Sequence, residues 1–149
     1  MARLPRLALA GLPHLVALYG HPGATVFVDD EDRRQFLTAL REAARAHQVA
    51  VHAYVLAADH VHLLVTPAEA AGLGAMVQSL GRRYVGAFNR RHGRSGTLWA
   101  GRYRGTVVQP GATLLEALLF IDLHAVRHNT VHAAEDALFC SARHHLGQV

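Results

Sequence analysis

Two histidines one residue apart, His60-Val61-His62, are the residues of this chain best placed to do chemistry. In an extended strand, alternation sends both imidazoles to one face and Val61 to the other. Two imidazoles side by side on a sheet are a metal-ligand geometry, although a half-exposed strand in a chain with twelve histidines would look the same. Phe120 and His124 lie four apart in an apolar run, so a helix would carry them on one face. If that face packs over the sheet beside His60 and His62, His124 completes a three-histidine set with positions left for water or a phosphate oxygen. The competing reading makes Leu115, Leu118, Leu119 and Phe120 core residues and His124 a solvated helix end. Under either reading the phenyl ring of Phe120 offers no oxygen that could attack phosphorus.

The charge pattern points to a polyanionic partner. All fifteen basic residues are arginine, and the net charge is +4. No acidic residue occurs between Glu69 and Glu116. That stretch holds Arg82, Arg83, Arg90, Arg91, Arg94, Arg102 and Arg104, interleaved with Tyr84, Phe88, Trp99 and Tyr103. Guanidinium forks match phosphate, and aromatic rings stack on unpaired bases. A GC-rich coding bias on a solvated helix face accounts for the missing lysine but not for the missing acids, which favours nucleic acid.

The elements that must position these residues follow from periodicity and punctuation. His14 to Leu18 reads as a short strand after Gly11-Leu12-Pro13, and Tyr19 to Gly23 as a loop. Asp29 and Asp30 offer N-cap oxygens to a helix from about Glu31 to His47. Val49 to Leu56 and His60 to Val65 form a hairpin around Ala57-Ala58-Asp59. A second helix spans about Gly72 to Arg91, with Leu73, Met76, Val77, Leu80, Tyr84 and Phe88 at helical spacing. His92 to Gly105 reads as a Gly-rich loop and Thr106 to Val108 as a strand. After the Pro110-Gly111 break, a third helix covers about Ala112 to Val126, and an irregular tail starts at about His128. The order β-α-β-β-α-β-α predicts an α+β fold: a ferredoxin-like split βαβ antiparallel sheet with an added C-terminal helix.

Composition bounds the rest. A chain of 149 residues suits a single domain, 1–149. No apolar run is long enough to span a bilayer, and Met1-Ala-Arg-Leu-Pro lacks a signal peptide's apolar core, so a cytoplasmic protein with no membrane partner is expected. Cys140 stands alone, which excludes an intramolecular disulfide and suggests a small buried residue.

Taken together, several runs resemble the IS200-like Y1 (HUH) transposases, and more narrowly their REP-associated tyrosine transposase branch. They are His52-Ala53-Tyr54-Val55-Leu56, Asp59-His60-Val61-His62-Leu63-Leu64-Val65, Gly81-Arg82-Arg83-Tyr84, Phe88-Asn89-Arg90-Arg91-His92-Gly93-Arg94, Gly96-Thr97-Leu98-Trp99 and Gly101-Arg102-Tyr103-Arg104. Their order and spacing carry the resemblance, which reaches from Ala2-Arg3-Leu4-Pro5-Arg6 to Ser141 through Gly147. It implies metal-dependent cleavage and transesterification of single-stranded or hairpin DNA in DNA transposition. The histidines at 60 and 62 would hold a divalent metal, Mg²⁺ or Mn²⁺, on the scissile phosphate, and a helix tyrosine would attack to give a 5′-phosphotyrosine link.

The chain departs from the family where the chemistry sits. The family's helix motif, Tyr-Ile-x-x-Asn-Pro-Val, reads Phe120-Ile121-Asp122-Leu123-His124-Ala125-Val126 here. The nucleophile is replaced, the polar metal helper becomes His124, and the proline becomes Ala125. Asp59 stands where relatives usually have Asn. Ala17-Leu18-Tyr19-Gly20-His21 stands where they typically have Thr-Gln-Arg-Gly-Asn. Of the four tyrosines, Tyr19, Tyr54, Tyr84 and Tyr103, none lies on the third helix. A DNA-binding homologue with impaired cleavage is therefore the leading expectation. A water-using metal nuclease and a metal-free DNA-binding regulator are the alternatives. A three-imidazole set would prefer Mn²⁺ or a later transition metal to Mg²⁺. Relatives act as monomers or as homodimers, and the sequence leaves both open.

Overall fold

The computed structural model describes residues 8–109 and 111–124. Pro110, Ala125, Val126, Cys140, the tail from about His128 and both terminal stretches of the resemblance lie outside the described residues. The elements are β1 (His14–Tyr19), α1 (Asp30–Ala46), β2 (Val49–Leu56), β3 (His60–Pro67), α2 (Ala70–His92), β4 (Arg104–Val107) and α3 (Ala112–Asp122). The four strands form one antiparallel sheet in the order β2-β3-β1-β4. This is the expected α+β split βαβ arrangement with an added helix.

Several boundaries differ from the sequence reading, and two of them bear on function. Tyr19 belongs to β1 rather than to a loop. It pairs with His60 across the strands, and its carbonyl accepts the Ala100 amide at 2.7 Å. Arg104 and Gly105 likewise belong to β4, paired with Ala17 and Val16. Glycines on either side suggested loop, but backbone pairing with the central strand overrides that local preference. The second helix also starts two residues earlier than expected, at Ala70, and the third closes at Asp122 with Leu123 as its C-cap.

Core packing divides the sheet into two faces. On one, Val16, Leu18, Val61, Leu63 and Val65 pack under Phe36 and Leu40 of α1 and under Leu73, Met76, Leu80 and Tyr84 of α2. On the other, Ala53, Val55 and Leu64 meet Ala117 and Ile121 of α3. Alternation along β3 places His60 and His62 on the face of Leu64, beneath α3. In β2 the register shifts between Val51 and Ala53, and this bulge switches which residues face each layer.

The start of α1 is tied to the end of α2 by a charged cluster. Asp29 caps α1 by accepting the Asp32 amide, while the buried Asp32 carboxylate accepts the Val28 amide at 2.9 Å. Arg91 donates to Asp29 at 2.6 and 2.7 Å and to Asp32 at 2.9 Å, and His92 Nε2 lies 2.8 Å from Asp32. The bond from Arg91 is the largest influence on Asp29 and holds its carboxyl down at about 2. Burial pushes the Asp32 carboxyl up, but bonds from Val28, Arg91 and His92 outweigh it and leave the group below the ordinary 3.8.

Both carboxyls thus have folded-state values below their unfolded ones. The stability they contribute is present above about pH 4 and is lost as pH falls through the lowered folded values, about 2 for Asp29. Asp32→Ala should lower the unfolding free energy at pH 7 by about 2–4 kcal/mol in urea melts. The gap from wild type should close as both are acidified. A gap that stays constant in acid would assign the cost to packing rather than to the charged cluster.

Candidate metal centre and nucleic-acid surface

The centre is built from two cross-strand rows on the α3 side of the sheet. In one, β3 His62 lies between Val55 of β2 and Ala17 of β1, and Ala17 in turn pairs with Arg104 of β4. In the other, His60 pairs with Tyr19. α3 brings Phe120 over these rows, and the residues just past its C-cap bring His124. The result gathers His60, His62 and His124, and their ligand nitrogens all lie within 4.8 Å of one another. His62 and His124 are buried and His60 is half-buried, so the cluster opens towards solvent on the His60 side.

The hydrogen bonds fix how these rings present their nitrogens. His60 Nδ1 lies 2.7 Å from the Asp59 carboxylate, and His60 Nε2 lies 2.8 Å from His124 Nε2. An ionised carboxylate only accepts, so Nδ1 of His60 carries a proton and its Nε2 is the nitrogen that faces the cluster. A carboxylate behind a ligating histidine is the usual outer partner of a metal site. The bond from His60 is the main influence on Asp59 and lowers its carboxyl from the ordinary value. Three imidazoles converging from a strand and from just past the end of a helix, one already oriented, form a donor set that could hold a divalent ion.

Asp59 is itself held by backbone. The Ala57 amide donates to His60 O at 3.0 Å, closing the hairpin turn, and the Gly20 amide donates to Asp59 O at 2.8 Å. A Cβ at Gly20 would stand 2.6 Å from Val26 Cγ1 and 3.2 Å from Asp59 O, so only glycine lets β1 approach the turn this closely.

Phe120 sits beside the histidines rather than in the core. Its ring meets that of His62 edge-on at 5.2 Å, and it is 38% exposed. Leu115 and Leu119 are also exposed, while Ala117 and Ile121 carry the core contact of α3. Leu118 packs against that core cluster as the core reading expected, but the exposure of Leu115, Leu119 and Phe120 and the burial of His124 rule out the rest of that reading. Tyr19, passed over as a loop residue, reaches the same place. Its ring stacks near His60 at 6.0 Å, meets His62 edge-on at 6.3 Å and lies 5.3 Å from the Arg104 guanidinium carbon. Strand alternation continued one residue further would have found it.

The remaining arginines divide by availability. Arg83 pairs with Glu42. Arg91 is held by Asp29 and Asp32. Arg94 donates to Asn89 Oδ1 at 2.7 Å and to Thr97 O at 3.0 Å, with its guanidinium over Phe88. Arg82, Arg90, Arg102 and Arg104 are exposed and form no ion pair among the described residues. Trp99 is half-buried against Phe36 and Tyr84, and Tyr103 is half-buried where the core meets the loop. The helix carrying Arg82, Arg83, Arg90 and Arg91 lies across the sheet from the histidines. Arg104 lies on their own face.

A sheet of this topology with a His-hydrophobic-His pair facing a helix defines a class that comparison with known proteins identifies. The family described as "Transposase IS200 like" matches residues 14–115. The chain belongs to that family. The match ends before Phe120 and His124, so it covers the histidine pair and the arginine-rich stretch but not the helix position in question. No curated protein matches the chain. Among solved structures, a REP-associated tyrosine transposase bound to a REP hairpin superposes with a TM-score of 0.84 at 13% identity, covering 99% of this chain and 87% of that one. A putative transposase from Deinococcus radiodurans R1 superposes with a TM-score of 0.54 at 21% identity, covering 87% and 98%. At these identities the likeness is one of fold. Among the described residues, no helix is long and apolar enough to cross a membrane.

Titration calorimetry tests the metal centre. Mn²⁺ should give a binding heat that disappears in His60→Ala and in His124→Ala. Asp59→Ala should weaken binding about 10- to 100-fold by freeing the His60 ring. An equal response to Mg²⁺ and Mn²⁺ would remove His124 from the ligand set.

Proposed function

We propose that this protein is a REP-branch homologue of the IS200-like transposases that binds single-stranded or hairpin DNA, holds a divalent metal at His60, His62 and His124, and has lost tyrosine transesterification. The observation that carries the proposal is the position of Phe120. Its ring stands 5.2 Å from that of His62, where the family's motif sets its nucleophilic tyrosine, and it has no hydroxyl. The rest of the centre keeps its chemistry: converging imidazoles, a carboxylate behind one of them, and an arginine on the same face.

A bound divalent ion would supply charge to polarise a phosphodiester. The chain's own residues then divide the work of binding. His60 and His62 present ligand nitrogens from the centre of the sheet, His124 closes the set from just past the end of α3, and Asp59 orients His60. Arg104, adjacent to Tyr19 and across Ala17 from His62, offers a guanidinium to a neighbouring phosphate. Arg82, Arg90 and Arg102 extend the basic surface. Arg83, Arg91 and Arg94 shape it through their bonds to the protein, and Trp99 and Tyr103 hold the loop that presents Arg102 and leads into Arg104 at the start of β4.

Fluorescence anisotropy with a labelled DNA hairpin tests the binding role. Affinity should fall steeply with salt, because neutralising phosphates releases counterions. Arg82→Ala, Arg102→Ala and Arg104→Ala should each reduce the slope of log K against log salt by about 1. Arg91→Ala should instead lower stability, with little change in slope. A protein with no affinity for structured single strands at moderate salt would refute the proposal.

A further inference from the structure

Resting on the DNA-binding reading, we infer that a groove between α2 and the Trp99–Tyr103 segment takes one unpaired nucleobase of the bound DNA. The strand then turns over the β4 edge of the sheet to reach the histidine face. The groove encloses about 510 Å³, within the range of about 300–1,000 Å³ typical of small-molecule sites. It lies on the opposite face of the sheet from the metal centre.

The glycines of α2 point to an occupant. Each glycine inside a helix costs roughly 0.5–1 kcal/mol relative to alanine, so an interior glycine calls for a packing reason. Gly72 has one, since a Cβ there would stand 2.8 Å from His47 O. Gly86 has a weaker one in Arg90, 3.3 Å away. Gly74 and Gly81 have none among the described residues. A Cβ at Gly74 would only touch the Tyr103 hydroxyl at 3.8 Å, and one at Gly81 would meet nothing within 4 Å. Both border the groove, two helical turns apart, and keep that wall clear.

The rest of the lining suits a base. Tyr103 and Trp99 supply aromatic surface, and the exposed Gln78 supplies an amide able both to donate to and accept from a base edge. The exposed Arg102 at the rim suits the attached phosphate. Charge is complementary throughout, because the segment from Ala70 to Leu115 contains no acid. The groove is also continuous with the metal face. Leu18 lines the groove while its neighbour Tyr19 lies beside His60. Tyr103 lines the groove while Arg104, the next residue, lies over Tyr19. Among the described residues β4 is the last strand of the sheet, so a single strand passing from one face to the other would cross that edge.

Gly81→Leu tests this without disturbing charge or packing, because the added side chain enters open space and raises helix propensity. The probe is a DNA hairpin with a short unpaired extension on either end, carrying 2-aminopurine at each unpaired position in turn. With the wild type, one position should be quenched on binding. In Gly81→Leu that quenching should vanish and affinity for the extended hairpin should fall at least ten-fold, while the variant melts no lower than wild type and binds the blunt hairpin unchanged. Equal affinity and equal quenching in the two proteins would overturn the groove assignment alone. If the wild type binds neither hairpin, the DNA-binding reading itself falls, and the groove with it.

Discussion

The antiparallel register of β3 against β1 is the constraint on which the site depends. It pairs His60 with Tyr19 and His62 with Ala17, and through Ala17 it reaches Arg104 on β4. Because side chains alternate along a strand, a slip of one residue would turn both imidazoles away from α3 and bring Val61 into their place. Buried Val61, Leu63 and Val65 on the opposite face resist that slip, since it would drive histidine into the layer under α1 and α2. Gly20 adds a local lock. Only a residue without a side chain lets β1 come close enough for its amide to hold the Asp59 carbonyl, and Asp59 in turn orients His60.

The two faces of the sheet are specialised. The face under α1 and α2 carries most of the core and the charged cluster of Asp29, Asp32, Arg91 and His92, which ties one helix to the other. The face under α3 has a smaller apolar cluster and spends its remaining positions on histidines, Tyr19, Phe120 and Arg104. This division explains why arginines that look equivalent in sequence are not equivalent in space. Arg91 completes a structural network, whereas Arg104 stands on the face of the histidine cluster with its guanidinium over Tyr19.

Much of this was legible in the sequence. Helical and strand periods located every element, and His60, His62, Phe120 and His124 were singled out together before the fold brought them together. What escaped were features set by pairing between distant segments. Tyr19 and Arg104 lie next to glycines that locally favour a loop, and only their hydrogen-bonded partners on β3, on β1 and in the Trp99 loop make them strand. The groove wall was also hidden. Gly74 and Gly81 look like ordinary flaws in an amphipathic helix until the space beside them is seen to be open. Likewise, the engagement of Arg83, Arg91 and Arg94 by Glu42, Asp29, Asp32, Asn89 and the Thr97 carbonyl depends on partners that neither charge counting nor spacing can assign.

The scaffold, the histidine cluster and the exposed arginines stand beside a phenylalanine at the position of the family's nucleophilic tyrosine. The most direct measurement is a denaturing gel of labelled single-stranded DNA from the gene's own flanks, incubated with Mn²⁺ and either wild type or Phe120→Tyr. The account expects cleavage and a covalent protein–DNA adduct from Phe120→Tyr only. Cleavage by the wild type would contradict it. An adduct abolished by Tyr19→Phe would move the nucleophile to β1, and cleavage without any adduct would make the histidine cluster a hydrolytic centre.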